Sequence, residues 1–427
     1  MIQTILIFAV FAFVIYLMMR GKMTLFVGLP LIAISTALIA GVPLLGDESV
    51  VKTICTNGVI KMAGSYACLI ISAWLGAMMN LTGISKTIIK TAAELGGDKP
   101  LLVTILLTIA TSLCYTTING LGGVIMLAQI AVPIMLSVGV PGIVAIGVFL
   151  FSYAIGLELN MANWTYFSSL TGVAITDVQL FAWTLCGLTS VMCLVFILTQ
   201  FKKEGVKYAW PVEEEPEEFK KAPALSCLTP LIPILLVVIF KWDINGGLFA
   251  GMLYCFITTV LLNKDINVQK MLDLTTRASI EGYQGCAQGV LSMICVGMLT
   301  SAIACQQVMD TISGVLTYIV PKSQIVYILF FAILAPLALY RGPLNIWGIG
   351  AGLATVITTM GVLPANAVMC GFIGCERMQV ICDPTNSHNI WLSNYVGTDT
   401  NTLLKRLFPY VWALCAIAAV VSGFMWF

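Results

Sequence analysis

Two polar segments interrupt the apolar sequence: Glu158-Leu159-Asn160-Met161-Ala162-Asn163 and Asp383-Pro384-Thr385-Asn386-Ser387-His388-Asn389. Each places an acid beside an Asn-x-x-Asn pattern, with the acids 225 residues apart and the asparagines 226 apart. A carboxylate at membrane depth is costly unless it is paired or binds a cation. Discontinuous helices at a repeat interface are where secondary transporters bind solutes and coupling ions. The two segments therefore predict two broken membrane helices in related positions.

The composition around these segments is typical of a membrane protein. Of the 427 residues, 59% are hydrophobic and 10% are charged, with a mean hydropathy of +0.99, whereas a soluble domain has about 25% charged residues. The net charge of +1 gives no basic surface for nucleic acid. Fourteen cysteines lie mostly singly in apolar runs and His388 is the one histidine, so we expect neither disulfides nor a Cys/His metal site. The expected surrounding is the lipid bilayer.

Uncharged stretches divide the chain into two halves of six. They lie at 2–19, 23–45, 62–82, 100–138, 142–175 and 178–200, then at 226–240, 247–263, 285–305, 323–360, 364–400 and 407–427. The strongly charged residues between the two sets are expected to form a solvated linker. We predict a first repeat over 1–200, a charged cytoplasmic linker over 201–224 and a second repeat over 225–427.

Short sequence matches and the loop charges indicate that the two halves are inverted repeats. Leu25-Phe26-Val27-Gly28 matches Leu248-Phe249-Ala250-Gly251, and the pair Trp183 and Cys186 recurs as Trp412 and Cys415. Lysine and arginine mark cytoplasmic loops, and they change sides between equivalent loops of the two halves. We expect a multi-pass protein of the cytoplasmic (inner) membrane with both termini outside. The first apolar run lacks a basic start and a cleavage site, so we interpret it as a span.

Two stretches are longer than one span and contain a central turn. Residues 100–138 carry Thr116 to Gly123 and residues 323–360 carry Arg341 to Asn345, both rich in Gly, Pro and polar residues. Each stretch is interpreted as a re-entrant hairpin, with two full crossings as the alternative. The predicted fold is an all-α polytopic membrane protein with two inverted-topology repeats, about ten transmembrane helices, two re-entrant hairpins and a broken fifth helix in each repeat.

The turns and breaks supply the candidate site residues. Hydroxyl, amide and guanidinium groups are assigned to an anionic solute: Thr117, Asn119, Asn163, Arg341, Asn345, Asn386 and Asn389. Acids and their neighbours are assigned to the coupling ion: Glu158, Asn160, Asp383, Thr385 and His388. Oxygen ligands for Na⁺ could come from Asn160 and Asn386, because hard cations prefer such oxygens. Protonation is the other way to neutralise the acids.

Each assignment has a structural alternative. The acids could cap helices or close a loop, with the asparagines bonding to the backbone. The hydroxyls and Asn119 could close the first turn, and His388 could be an ordinary hydrogen-bonding residue. Arg377, which follows Glu376 in an apolar stretch, could meet the solute or be neutralised by a nearby acid. These alternatives remain open at the level of the sequence.

The sequence gives no sign of an enzyme. Gly120-x-Gly122-Gly123 has neither a preceding strand nor a lysine, so it is no nucleotide loop. We found no Gly-x-Ser-x-Gly or His-Glu-x-x-His motif and no convincing nucleophile with a base. No cofactor is expected apart from Na⁺ or H⁺ as the coupling ion.

The broken segment at 382–389 and the opening from Met1 to Pro43 resemble the ion transporter superfamily of secondary carriers, especially its citrate, C4-dicarboxylate and gluconate permease branches. The resemblance covers the architecture of the whole chain. It implies an organic-anion carrier that is driven by sodium or protons, works by an elevator-like movement and often forms a homodimer. Thr117-Ile118-Asn119 and the Arg341 turn stand where the sodium-coupled dicarboxylate branch carries Ser-Asn-Thr triplets, so the coupling ion stays open.

The expected function is secondary active transport of a small carboxylate anion across the cytoplasmic membrane. A cation/proton antiporter without an organic solute is the first alternative, since two intramembrane acids would suffice for it. An ion channel is the second alternative. An intramembrane enzyme is a third, for which the sequence offers no paired nucleophile and base.

Overall fold

The computed structural model describes residues 2–20, 22–206 and 221–427, and all regular structure in these ranges is helical. The first half contains α1 (Ile2–Met19), α2 (Leu25–Ala40), a π-helical segment (Val50–Asn57), α3 (Gly58–Ile60), α4 (Ala63–Leu81), α5 (Ile84–Gly96), α6 (Pro100–Tyr115), α7 (Gly120–Ser137), α8 (Gly142–Glu158), α9 (Met161–Thr171) and α10 (Ile175–Glu204). The second half contains a 3-10 segment (Ala224–Leu228), α11 (Leu231–Val238), α12 (Ile244–Leu262), α13 (Val268–Ile303), α14 (Gln306–Ile319), α15 (Gln324–Leu334), a second 3-10 segment (Ala335–Arg341), α16 (Ile349–Met360), α17 (Ala365–Cys382), α18 (Ser387–Tyr395) and α19 (Thr400–Trp426).

The described helices confirm a polytopic helical membrane protein. Seven are long and apolar enough to cross a bilayer: Val50–Leu81, Gly120–Ser137, Ile175–Glu204, Ile244–Leu262, Val268–Ile303, Gln324–Arg341 and Thr400–Trp426. The bent pair α8 and α9 would make an eighth. The apolar helices α1, α2, α6 and α16 are shorter than a span. The predicted number of about ten crossings plus two hairpins stays a prediction.

Both predicted helix breaks are present. α8 ends at Glu158 and α9 begins at Met161 after a bend of 62°. The side chain of Asn160 caps α9 by accepting the backbone N–H of Ala162 at 3.0 Å. α17 ends at Cys382 and α18 begins at Ser387. Pro384 lies in this second break and lacks the N–H that a continuing helix would need.

The two long apolar stretches each form two helices joined at the expected place. α6 ends at Tyr115 and α7 begins at Gly120, so residues 116–119 form the first turn. In the second stretch the backbone leaves helical geometry at Leu339 and Tyr340, and α16 begins at Ile349, so residues 339–348 form the second turn. The hairpin interpretation and the two-crossing alternative share this helix-turn-helix arrangement.

The two halves meet along α4 and α13, which pack against each other. Their backbones approach closely at Gly282, where an added Cβ would lie 2.7 Å from the carbonyl oxygen of Ala73. Small residues at membrane helix interfaces permit such approach, because a side chain would separate the backbones. α2 also packs on α13, and α12 packs on α4. α13 carries a row of polar residues along one face. Its contacts place this helix beside the turns and breaks.

The end of the first half differs slightly from the prediction. α10 continues to Glu204, so the expected boundary at residue 200 falls inside a helix. Residues 207–220 of the predicted linker lie outside the described residues. Where the chain is described again, Lys221 pairs with Glu94 at 2.5 Å on the protein surface.

Candidate functional site

A cavity of about 620 Å³ lies where both turns, both breaks and α13 come together. Five of the predicted site residues line it: Asn119, Asn163, Arg341, Asn386 and His388. The two broken segments therefore adjoin, and the ring of His388 packs edge-on against Tyr153 of α8 with centroids 5.1 Å apart. The remaining predicted residues are not among those that line the cavity: Thr117, Glu158, Asn160, Asn345, Asp383, Thr385 and Asn389.

The first turn is fastened to the first break by Asn160. Its Nδ2 donates to the carbonyl oxygen of Tyr115 at 3.1 Å, at the end of α6. Its Oδ1 accepts from Asn119 Nδ2 at 3.3 Å as well as from the N–H of Ala162. Both polar atoms of this buried amide thus have protein partners. Asn160 holds the turn and the broken helix together, which leaves Oδ1 little capacity to serve as the predicted Na⁺ ligand.

The two breaks are closed by the same hydrogen bond. Asn163 Nδ2 donates to the carbonyl oxygen of Leu157 at 2.8 Å, and Asn389 Nδ2 donates to that of Asp383 at 2.8 Å. In each case the acceptor lies six residues before the asparagine. This register makes Leu157 the counterpart of Asp383. The acids Glu158 and Asp383, which the sequence placed at equivalent positions, are therefore offset by one residue and point to different surroundings.

Glu158 belongs to a buried cluster that we call the ion triad, consisting of Glu158, Arg377 and Glu376. Arg377 Nη1 donates to Glu158 Oε1 at 2.9 Å, and Nη2 donates to Glu376 Oε2 at 2.6 Å. The side chains of Arg377 and Glu158 are each 1% exposed. Glu158 Oε1 also accepts the hydroxyl of Thr189 at 2.6 Å, whereas Oε2 is buried with no partner among the described residues. Arg377 is thus neutralised by acids instead of facing the solute.

The ion triad reaches the cavity through Glu376 and Trp347. Trp347 Nε1 donates a hydrogen bond to Glu376 Oε1, and both side chains line the cavity. The indole of Trp347 stacks on the ring of Tyr166 in α9, and the Tyr166 hydroxyl donates to the carbonyl oxygen of Ile346 at 2.6 Å. The second turn is therefore joined to the broken helix of the first half.

The second break is held by local hydrogen bonds. Asp383 Oδ1 accepts the N–H and the hydroxyl of Thr385 at 2.9 and 2.7 Å, while Oδ2 is buried without a partner among the described residues. Asn386 exchanges hydrogen bonds with Gln379, donating to its carbonyl oxygen at 2.7 Å and accepting from its side chain at 3.1 Å. His388 Nε2 lies 2.8 Å from the carbonyl oxygen of Val380. Asp383 and Thr385 thus shape the loop, as in their structural alternative.

Two further residues that were predicted to bind the solute instead form hydrogen bonds within the turns. Asn345 Oδ1 accepts the N–H of Trp347 at 3.0 Å, which fixes the second turn. Thr117 is fully buried, and its hydroxyl donates to the carbonyl oxygen of Cys114 at 3.3 Å. Both side chains point into the protein structure that surrounds the cavity.

Arg341 lies in the cavity wall at the start of the second turn. No hydrogen bond or ion pair to its guanidinium is found among the described residues, in contrast to Arg377. Its backbone and that of Tyr340 are left-handed, with φ of 58° and 55°. Such conformations cost about 1–3 kcal/mol for residues other than glycine and cluster at functional sites. The second turn therefore keeps the guanidinium of Arg341 at the cavity in a backbone conformation that costs free energy.

Several cavity residues were missed from the sequence. α13 contributes Gln284, Gln288 and Ser292, and a surface-paired acid, Glu281, follows the same stripe. Their spacing of three and four residues along one helix face was a usable signal. Tyr153, Trp347 and Gln379 carry no such pattern, because aromatic and single polar residues are common in membrane helices. In the described ranges no group of three or more His, Cys, Asp or Glu side chains could hold a metal ion.

Comparison with known proteins identifies the fold. The structure is similar to that of the YdaH transporter of Alcanivorax borkumensis, with a TM-score of 0.68 and 13% identity over 94% of this chain and 97% of that one. It is also similar to MtrF of Neisseria gonorrhoeae, with a TM-score of 0.63 and 12% identity over 94% of both chains. No family model matches the sequence. No curated protein matches it either.

These similarities establish that the chain has the fold of membrane transport proteins. One neighbour is a transporter and the other represents a class of efflux pumps. The general prediction of a multi-pass transporter fold is thereby confirmed. The neighbours do not single out the citrate, C4-dicarboxylate or gluconate permeases that the sequence resembles.

Proposed function

We propose that the protein is a secondary active transporter that moves a small carboxylate-bearing anion across the cytoplasmic membrane. The observation that carries this proposal is the guanidinium of Arg341, which lines the cavity and has no hydrogen-bond or ion-pair partner among the described residues. A guanidinium cannot shed its charge and binds carboxylates in bidentate fashion. The other cavity-lining charges, Glu376 and Glu281, are already paired with Arg377 and Arg277. Arg341 is therefore the charged group of the described cavity wall that is left to bind an anionic solute.

The rest of the cavity suits a small polar solute. Its volume of about 620 Å³ lies in the range of small-molecule sites. Amide groups of Asn119, Asn163 and Gln288 offer donors and acceptors around the cation. Apolar contact comes from Phe26, Leu69 and Trp347. Citrate, succinate and gluconate are the probes that the sequence resemblance suggests.

An elevator-like mechanism is proposed because the solute site lies between two turns and two broken helices. The helices occur in the same order in both halves, and both breaks are closed by equivalent asparagines. We infer two inverted repeats that expose the cavity alternately to the two sides. Na⁺ or H⁺ supplies the driving gradient, and the protein works as a homodimer in this proposal.

The direction of transport is a measurable part of the proposal. One structural neighbour, MtrF, represents a class of antimetabolite efflux pumps. Reconstituted vesicles should therefore be tested for both uptake and export of labelled citrate, succinate and gluconate, with imposed sodium or proton gradients. Gradient-driven accumulation of one of these anions is the expected result. Proton/sodium exchange without anion movement would instead identify an antiporter, and a large conductance without accumulation would identify a channel.

The role of Arg341 is tested by Arg341→Gln with Arg406→Gln as the matched control. Arg406 pairs with Glu204 and does not line the cavity, so its loss should leave transport close to wild type. Arg341→Gln should abolish anion transport while the protein still inserts and purifies as the wild type does. Transport at the wild-type rate by Arg341→Gln would overturn the assignment of the solute site.

A further inference from the structure

The ion triad has one more negative than positive charge. Glu158 and Glu376 flank the single guanidinium of Arg377 in a region where all three residues are buried. An unbalanced carboxylate that is removed from water is costly unless a cation or a proton neutralises it. Because the described structure places no second cation against these groups, a proton is the simplest species to restore neutrality.

The hydrogen bonds indicate which of the two carboxyl groups takes the proton. Both oxygens of Glu376 accept from N–H donors, one from Trp347 and one from Arg377. Glu376 therefore has the full set of partners that suits an ionised carboxylate. Glu158 has one oxygen, Oε1, with two donors, whereas Oε2 has none among the described residues. An ionised Glu158 would leave a bare buried oxygen, and a proton on Oε2 would remove that charge.

The titratable groups that pack on the ion triad from neighbouring helices add no charge to it. Four titratable side chains face it from the packed helices, namely Tyr153 of α8, Tyr166 of α9, Cys186 of α10 and Cys415 of α19. Tyrosine and cysteine side chains are both uncharged near neutral pH. On the cavity side Arg341 and His388 share the cavity wall with Glu376. Asp383 follows at the end of α17 and is held in its own loop by Thr385.

We propose that Glu158 is the proton-carrying residue of this transporter and that the coupling ion is therefore H⁺. The proton comes from water in the cavity, binds Glu158 Oε2 and returns to water when the cavity opens to the other side. Glu376 is the fixed counter-ion of Arg377 and acts as a positioning residue. This inference rests on the proposed transport function, but proton binding itself can be measured without any solute.

The first experiment is pH-induced infrared difference spectroscopy of the purified protein in liposomes without solute. Protonation should produce the C=O band of a carboxylic acid, which shifts in D₂O. The band should be lost in Glu158→Gln and kept in Glu281→Gln. Glu281 is the matched control because it lines the same cavity but pairs with Arg277 at the surface. An unchanged band in Glu158→Gln would overturn the proposal.

A second variant keeps the proposal testable if Glu158→Gln does not fold. Thr189 donates a hydrogen bond to Glu158 Oε1 and so favours the ionised form of that carboxyl. Thr189→Ala should move the titration of the infrared band to higher pH. Thr184→Ala, which removes only a hydroxyl bonded to the carbonyl oxygen of Leu180 in the same helix, should leave it unmoved. Equal titration curves for wild type and Thr189→Ala would contradict the role of Glu158.

Transport measurements separate failure of this inference from failure of the proposed function. With an anion that the wild type carries, Glu158→Gln should still exchange labelled for unlabelled anion across the vesicle membrane. Its accumulation in response to a pH gradient should fall at least tenfold. Accumulation by Glu158→Gln that still follows the pH gradient, or a wild type driven by sodium alone, would refute proton coupling at Glu158. If no anion moves at all, the transport function fails while the infrared result still decides whether Glu158 binds a proton.

Discussion

Trp347 lies flat against Tyr166, with ring centroids 4.1 Å apart and 7° between the ring planes. Trp347 belongs to the second turn, and Tyr166 belongs to α9, the broken helix of the first half. The indole N–H also donates to Glu376 of the ion triad. One side chain therefore connects the cavity wall, a broken helix of the other half and the buried charges. Movement of the second turn relative to α17 would separate the indole N–H from Glu376.

This connection predicts different effects for two substitutions of Trp347. Trp347→Phe keeps a ring against Tyr166 but removes the N–H that Glu376 accepts, whereas Trp347→Ala removes both. A hydrogen bond to a charged group contributes about 1.5–3 kcal/mol and an aromatic pair about 0.5–1.5 kcal/mol. Both variants should therefore transport poorly, and Trp347→Ala should also have the lower melting temperature in detergent. Trp391→Ala, which removes the stack on Tyr395 away from the cavity, should spare transport.

The equivalent asparagines at the two breaks give a symmetric prediction. Asn163→Ala and Asn389→Ala each leave a buried carbonyl oxygen without its side-chain donor, which costs about 1–3 kcal/mol. We expect similar losses of thermal stability in the two variants. Asn394→Ala, an exposed position in α18, should change stability by less than about 0.5 kcal/mol. A loss at one break only would show that the two breaks are not held alike.

The positions of the two helix breaks could be predicted from the sequence, but the ion-pair partner of Glu158 could not. Polar residues in an otherwise apolar helix, with Pro384 beside one of them, are local features that define where a helix ends. The partner of Glu158 is Arg377, more than 200 residues away, and only packing of α8 against α17 brings them together. The acids are 225 residues apart and the asparagines 226, but only the hydrogen bonds of Asn163 and Asn389 show that the asparagines define the register.

The same distinction applies to the site residues. Arg341 and Asn119 were predicted because charged and amide groups stand out in apolar turns, and both line the cavity. Asn345 and Thr117 have the same polarity, yet their side chains bond to the turns themselves. Side-chain direction within a turn depends on its backbone conformation, which neither composition nor spacing specifies. The row of polar residues along α13 was visible in the sequence. Only the structure shows that this row faces a cavity.

The ion triad predicts unequal stability effects for its members. Arg377→Gln leaves two carboxylates close together without their cation, and breaking a buried pair in this way costs about 3–5 kcal/mol. Glu158→Gln leaves a balanced pair of Arg377 and Glu376, so its cost should be smaller. The melting temperatures in detergent at one fixed pH should therefore rank wild type and Glu158→Gln well above Arg377→Gln. Equal destabilisation by both substitutions would argue against an excess negative charge in the triad.

The close approach of α4 and α13 predicts opposite effects for two glycines of one helix. A Cβ at Gly282 would lie 2.7 Å from the carbonyl oxygen of Ala73 and 2.8 Å from the backbone nitrogen of Trp74. Backbone atoms cannot yield as a flexible side chain can, so Gly282→Ala must push the two helices apart. At Gly285, one turn further along α13, nothing lies within 4 Å of an added Cβ. Gly285→Ala should therefore stabilise the helix by about 0.5–1 kcal/mol. Gly282→Ala should instead lower the melting temperature by several degrees, because overpacking costs about 1–3 kcal/mol. Both can be compared by thermal unfolding in the same detergent, and equal melting temperatures would mean that the halves do not meet at this glycine.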